Sequence, residues 1–276
     1  EIPLRLVGSE MCIRDRCCSV LAVALICIFL FMNGVPAIFK IGPLKFLTGT
    51  MWKPGNNIFG ILPMIVGSIC VTGLAILMGV PVAILTSVFL SRYCPKRFYG
   101  ICKSGINLMA GIPSIVYGLF GMLFFVNTCK WGFSILAGAF TLAIMVLPLI
   151  MRSTEEALKS VPDSYREGSF GLGAGKLRTV FRIVLPSAIP GILAGVILAI
   201  GRIVGETAAL IYTAGTVAKV PKNVLSSGRT LAVHMYNLSS EGLYMNQAYA
   251  TAVVLLVLVV VINTLSGMIA KRITKA

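Results

Sequence analysis

The chain has 276 residues, a mean hydropathy of +0.94, 57% apolar residues and only 12% charged ones. A soluble domain carries about twice that charged fraction, and repeated uncharged apolar runs would associate on its surface. Composition therefore excludes a soluble globular domain and points to one bundle of membrane helices. The formal charge of +15 does not read as a nucleic-acid footprint. The bases lie in loops between apolar runs, where they set membrane orientation, and no basic stripe is interleaved with aromatics. Eight cysteines are present, at 12, 17, 18, 27, 70, 94, 102 and 129, none in a CxxC pair. That spacing argues against a disulfide framework or a zinc site, and no metal-ligand set is expected.

Residues 7–16, Val-Gly-Ser-Glu-Met-Cys-Ile-Arg-Asp-Arg, read like translated sequencing-adapter sequence. Residues 1–17 are accordingly set apart as a tail, non-native in part, and 18–276 as one transmembrane domain. A span needs about 20 apolar residues at 1.5 Å rise each. Apolar runs of that kind lie at 18–39, 60–90, 106–126, 132–151, 186–212 and 248–270. The first is weakened by Asn33, Gly34 and Pro36, and the second carries Pro63 and Pro81. Backbone amides must be satisfied within the bilayer, so these runs are expected to be helices; the alternation of a membrane barrel is absent. The expected fold is all-α, with six transmembrane helices.

Six spans put both termini on one side. Sixteen Lys and Arg fall on that side and seven on the other; without the tail the count is 13 against 7, with Arg202 inside a span. The excess places both termini in the cytoplasm. Two hydrophilic segments remain, a cytoplasmic loop at 152–185 and an outer segment at 215–247. The outer side carries seven bases and one acid, Glu241, a balance that attracts anions to the mouth, serves an acidic partner or is ordinary solvation. His234, the only histidine, reads as a loop residue with no nucleophile or acid beside it.

The cytoplasmic loop carries two S-x-x-E spacings, Ser153 with Glu156 and Ser164 with Glu167. Each predicts a helix start by a capping box. Pro162 suits a break before the second start, and Gly171, Gly173 and Gly175 a stop after it. The product is a short helix tethered at both ends to spans, the geometry of a lever. Gly171-Leu-Gly-Ala-Gly-Lys176 is not a phosphate loop: Phe170 stands where the first glycine is needed and Leu177 where Ser or Thr is needed. No catalytic residue and no cofactor-binding motif is found, so this chain is expected not to be an enzyme.

Glu167-Gly-Ser169, then Gly173 three residues on, then Ile183-Val-Leu-Pro186 after nine more, resembles the cytoplasmic loop of ABC importer permeases. There the pattern is E-A-A, three residues, G, nine residues, I-x-L-P. The departure is Gly168-Ser169 in place of two alanines; Gly168 lowers helix propensity by ~1 kcal/mol. The resemblance implies that Glu167, Gly168, Ser169 and Gly173 couple the chain to a separate ATPase, which binds ATP and Mg while this chain binds none.

Gly111-Ile-Pro-Ser-Ile-Val-Tyr-Gly-Leu-Phe-Gly121 and Gly201-Arg-Ile-Val-Gly-Glu-Thr-Ala208 resemble stretches of the phosphate importer permeases. Tyr212-Thr-Ala-Gly215 and the run at 228–236 look more like the PstA-type subunit than the PstC-type. This resemblance runs from about residue 18 to the end. It implies a bacterial inner-membrane permease working by alternating access, with a PstC-type permease, an ATPase dimer and an extracytoplasmic phosphate-binding protein as partners.

Arg202 and Glu206, spaced i, i+4, are expected on one helical face inside an apolar run. A charge there costs at least ~2.5 kcal/mol unless partnered. Either the pair neutralises itself or bridges to the partner permease, or Arg202 offers its fork to phosphate with hydroxyls from Ser114 and Thr207. Gly111 with Gly118, and Gly191 with Gly195, predict close helix packing; Tyr117 reads as packing. The rivals are an ABC permease for another solute and an ATPase-independent transporter or channel.

Overall fold

The computed structural model describes the backbone of residues 4–275 and the side chains of 17–95 and 97–272. Helix α1 (Leu4–Ile41) is followed by the short α2 (Pro43–Thr48) and an antiparallel hairpin, β1 (Trp52–Lys53) and β2 (Ile58–Phe59), with Trp52 opposite Phe59. Then come α3 (Leu62–Arg92), α4 (Lys96–Gly111), α5 (Ser114–Gly121) and a π-helical turn, Met122–Thr128. Helices α6 (Ile135–Ser160), α7 (Asp163–Gly171) and α8 (Lys176–Thr179) lead through a second π turn, Val180–Val184, into α9 (Leu185–Val204). The chain ends with α10 (Ala208–Ile211), α11 (Leu231–Glu241) and α12 (Met245–Lys275).

Five stretches are long and apolar enough to cross a membrane: Cys17–Ile41, Leu62–Arg92, Ile135–Ser160, Lys176–Val204 and Met245–Arg272. The third expected span differs in form. Instead of one straight helix over 106–126, Arg97–Gly111 and Ser114–Thr128 meet at 97°, and counted as one broken span they make the sixth. The cause is local. Pro113 disfavours the helical region for the residue before it, and Ile112 is extended at φ −70°, ψ 129°. The Tyr117 hydroxyl then bridges the break, donating to the Met109 carbonyl at 2.7 Å.

Both predicted capping boxes are also corrected. Nothing between Pro148 and Pro162 breaks the chain, so α6 continues to Ser160 and Ser153 lies inside it. The Ser153 hydroxyl donates to the Ile150 carbonyl at 3.2 Å. The cap of α6 is Ser134, which accepts from the Ala137 amide. The second short helix does form, but Pro162 holds its N-cap position and no side chain caps it. The π turn Val180–Val184 lies just before Pro186, which offers no N–H and crowds the preceding turn; a widened turn accommodates it.

Helix α6 is the centre of the bundle: 67% of its most apolar window is buried, against 6% for α1 and 11% for α12. It packs along α3 and α9, which also touch each other. Val71, Ala75, Leu142, Val146, Ile150 and Ile203 fill the space between them. Helix α12 lies on α9 and carries α1, whose Val20, Leu21, Val23 and Ile26 point outward. Gly34, in the stretch that weakens the first span, has a use: a Cβ there would stand 2.6 Å from the Tyr249 carbonyl oxygen. The expected close approach at Gly191 and Gly195 is present. These residues seat α9 on α6, at Ala157 and Ser153 respectively. Of the other pair, Gly118 is closely packed while Gly111 faces open space.

Candidate functional site

The loop between α6 and α9 is built around one turn. Helix α7 ends in a Schellman motif: the Gly173 amide donates to the Phe170 carbonyl at 2.9 Å and the Ala174 amide to the Ser169 carbonyl at 3.1 Å. That geometry needs a left-handed residue, and Gly173 has φ +80°. The glycine of the sequence pattern is therefore explained by backbone conformation. Glu167 and Gly168 are exposed, and nothing lies near a Cβ built at Gly168. Exposed Tyr165, Phe170 and Leu172 flank them.

Ser169 behaves differently from Glu167 and Gly168. It is buried, and its hydroxyl lies 2.9 Å from that of Thr179, also buried, on α8. The Thr179 hydroxyl donates its proton to the Gly175 carbonyl, so Ser169 is the donor of the pair. Its contact is with its own chain, fastening α7 to the start of the fifth span.

The two glycine-rich stretches meet. Helix α5 packs on α10, and a Cβ at Gly118 would lie 2.8 Å from the Ala209 Cα. Gly121 is filled in the same way by Thr141 and Thr213. This contact brings the segment bearing Ser114, at the start of α5, onto the segment bearing Glu206 and Thr207.

Arg202 and Glu206 do not share a helical face. The helix ends at Val204, Gly205 is the C-cap and the Glu206 amide closes a turn onto the Ile203 carbonyl at 3.1 Å. The Glu206 carboxylate accepts from the Ala209 amide at 3.3 Å, so it serves the start of α10. No hydrogen bond or ion pair joins it to Arg202. Arg202 is exposed in the last turn of α9, where the helix dipole favours a cation. Ser114 and Thr207 are half-buried, and the Thr207 hydroxyl faces the Gly205 carbonyl at 3.5 Å.

His234 is the clearest departure from expectation. It lies in α11, fully buried, rather than in a loop. Its Nδ1 is 3.1 Å from an Arg229 nitrogen, so it accepts, and the ring stands edge-on to Trp52 with centroids 4.2 Å apart. Burial, and then the Arg229 charge, lower its pKa to about 3. Arg229 also donates to the Thr216 carbonyl at 2.7 Å. With the Leu231 amide bonded to Ser68 at 2.9 Å, segment 215–247 is tied down onto α3. The apolar hairpin residue Trp52 was the available sequence signal for a buried partner.

Over 94% of both chains, this protein is 33% identical to the probable ABC transporter permease protein YqgI of Bacillus subtilis. It is 29% identical to the phosphate transport system permease protein PstC of Mesorhizobium japonicum, over 94% of this chain and 88% of that one. To PstA 1 of Mycobacterium tuberculosis it is 32% identical, over 76% and 70%. Among solved structures, a chain from the crystal structure of a bacterial alginate ABC transporter superposes at TM-score 0.66 with 16% identity, covering 100% of this chain and 99% of that one. Residues 79–275 match the binding-protein-dependent transport system inner membrane component family, and the chain belongs to that family, the membrane permease subunits of ABC importers.

Proposed function

We propose that this permease forms half of the translocation path of an ATP-driven phosphate importer. Relatives of both phosphate-permease types support the substrate, and the observation that carries the reading is the placement of Arg202. It stands exposed at the end of a span, with no counter-ion among the described residues, beside the junction of the two glycine-rich stretches. An exposed guanidinium so near the end of a span, unpaired among the described residues, is free to take a partner from outside the chain. A phosphate ion, whose oxygens match the guanidinium fork, and the partner permease are the two occupants that fit. Ser114 and Thr207 add hydroxyls on the same junction.

The termini and the 152–185 loop lie in the cytoplasm on this reading, by the excess of Lys and Arg on that side. Glu167 and Gly168, with Gly173 shaping the turn, present α7 to a partner ATPase that holds ATP and Mg. Ser169 contributes by fastening α7 to α8. Closure of the motor pulls α7, and α6 and α9 move with it in alternating access. A homologous permease, PstC-type if this chain is PstA-type, supplies the other half, and an extracytoplasmic phosphate-binding protein delivers the solute. The test is uptake by vesicles containing all the subunits: ATP should drive phosphate inward, and arsenate but not sugars or amino acids should compete. Uptake of another solute in place of phosphate moves the chain to a different branch of the same family.

A further inference from the structure

We propose that Glu155 is a positioning residue that transmits movement of α7 to the α4–α5 limb; the proposal rests on the ATP-coupled reading above. Glu155 lies on α6, eight residues before α7 begins, with its side chain 16% exposed. It accepts from the Tyr99 hydroxyl and from Lys159, and Lys103 stands 3.6 Å away. Tyr99 and Lys103 belong to α4, Lys159 to α6. The Tyr99 oxygen in turn receives Lys103 at 3.2 Å and Lys159 at 3.0 Å. Both ammonium groups sit over its ring, at 5.4 and 5.5 Å from the centroid.

One carboxylate thus holds together two like charges from two helices. Remove that charge and Lys103 and Lys159 oppose each other across Tyr99, which pushes α4 off α6. Apolar packing is limited: Phe98, Ile101 and Leu108 of α4 all point outward, while Ile106 is half-buried against the core. The second polar link is Arg152 to Asn107 at 2.8 Å, on the same pair of helices. Helix α4 is therefore hung on α6 largely by polar side chains.

From α4 the contacts continue without a gap. Tyr117 fixes the 97° bend by its bond to Met109, and Gly118 sets α5 on Ala209, where Glu206 caps α10. A displacement of the last turns of α6 then reaches the neighbourhood of Arg202 by way of α4 and α5, separately from the direct route through α9.

The experiment uses the complete importer in vesicles and reads phosphate moved per ATP hydrolysed, beside subunit stoichiometry. Wild type fixes the reference; absence of ATP-driven uptake there overturns the functional reading itself. Glu155→Gln and Tyr99→Phe should assemble normally and hydrolyse ATP within about twofold of wild type, while transport per ATP falls about fivefold or more. Glu156→Gln, on the exposed neighbour, should keep the wild-type ratio. An unchanged ratio in Glu155→Gln overturns the proposal, as does a parallel loss of transport and hydrolysis in both variants. If Glu155→Gln fails to assemble, Tyr99→Phe, which keeps the ion pairs, decides by the same ratio.

Discussion

Gly118 and Ala209 touch backbone to backbone: a Cβ at 118 would stand 2.8 Å from the Ala209 Cα and 3.2 Å from its carbonyl oxygen. This contact joins two residues 91 apart in sequence, and it decides where Ser114 and Arg202 sit relative to each other. Gly118→Ala should therefore cost about 1–3 kcal/mol through overpacking against unyielding backbone. Gly111→Ala, facing open space, should be neutral or stabilising. Thermal unfolding in detergent checks the pair, and equal shifts for both would contradict the contact.

Gly173 is needed for its φ of +80°. Gly173→Ala should cost about 1–2 kcal/mol locally and weaken capture of the ATPase subunit, with Gly173→Asn in between because Asn tolerates the left-handed region. Glu167→Lys acts by another route. The residue is exposed, so the fold should survive while copurification of the ATPase is lost. Thermal melting together with subunit stoichiometry separates the two effects.

His234 makes the segment at 215–247 acid-sensitive. Its folded pKa of about 3 lies below the ordinary 6.5, so the unfolded state takes up the proton first. The stability it supports is complete above about pH 6.5 and is lost progressively as pH falls toward 3, at up to about 1.4 kcal/mol per unit. Trp52 emission, read in a Trp131→Phe background, should report the loss. His234→Gln keeps an acceptor for Arg229 but cannot titrate, and should flatten the dependence between those limits.

Much of the architecture was legible in the sequence because the bilayer makes length and apolarity decisive. All five uninterrupted spans stand within a few residues to ten of their expected bounds, and Gly191 and Gly195 pack as their spacing suggests. The misreadings share a cause, a local rule overridden by its neighbours. Ser153 and Glu156 have capping-box spacing, yet no breaker precedes them, so α6 runs through. Arg202 and Glu206 have i, i+4 spacing, yet Gly205 ends the helix between them. Conversely, the Pro113 break was visible in the letters and was outweighed by the apolar run around it.

The site was less legible because its contacts are non-local. Nothing in the loop sequence says that Ser169 turns inward to Thr179, or that Glu155 meets Tyr99 across 56 residues. His234 reads as a loop residue because its distant partner, Trp52, reaches it only after the hairpin and α11 fold onto α3.

The most direct measurement is the initial rate of ATP-driven phosphate uptake by vesicles containing the full set of subunits, with Arg202 varied. Arg202→Ala should lower the rate at least about tenfold, the value of 1.4 kcal/mol, with subunit assembly intact, and Arg202→Lys should restore it only in part because a point charge lacks the planar fork. Wild-type rates in both variants would contradict the placement of the path beside Arg202.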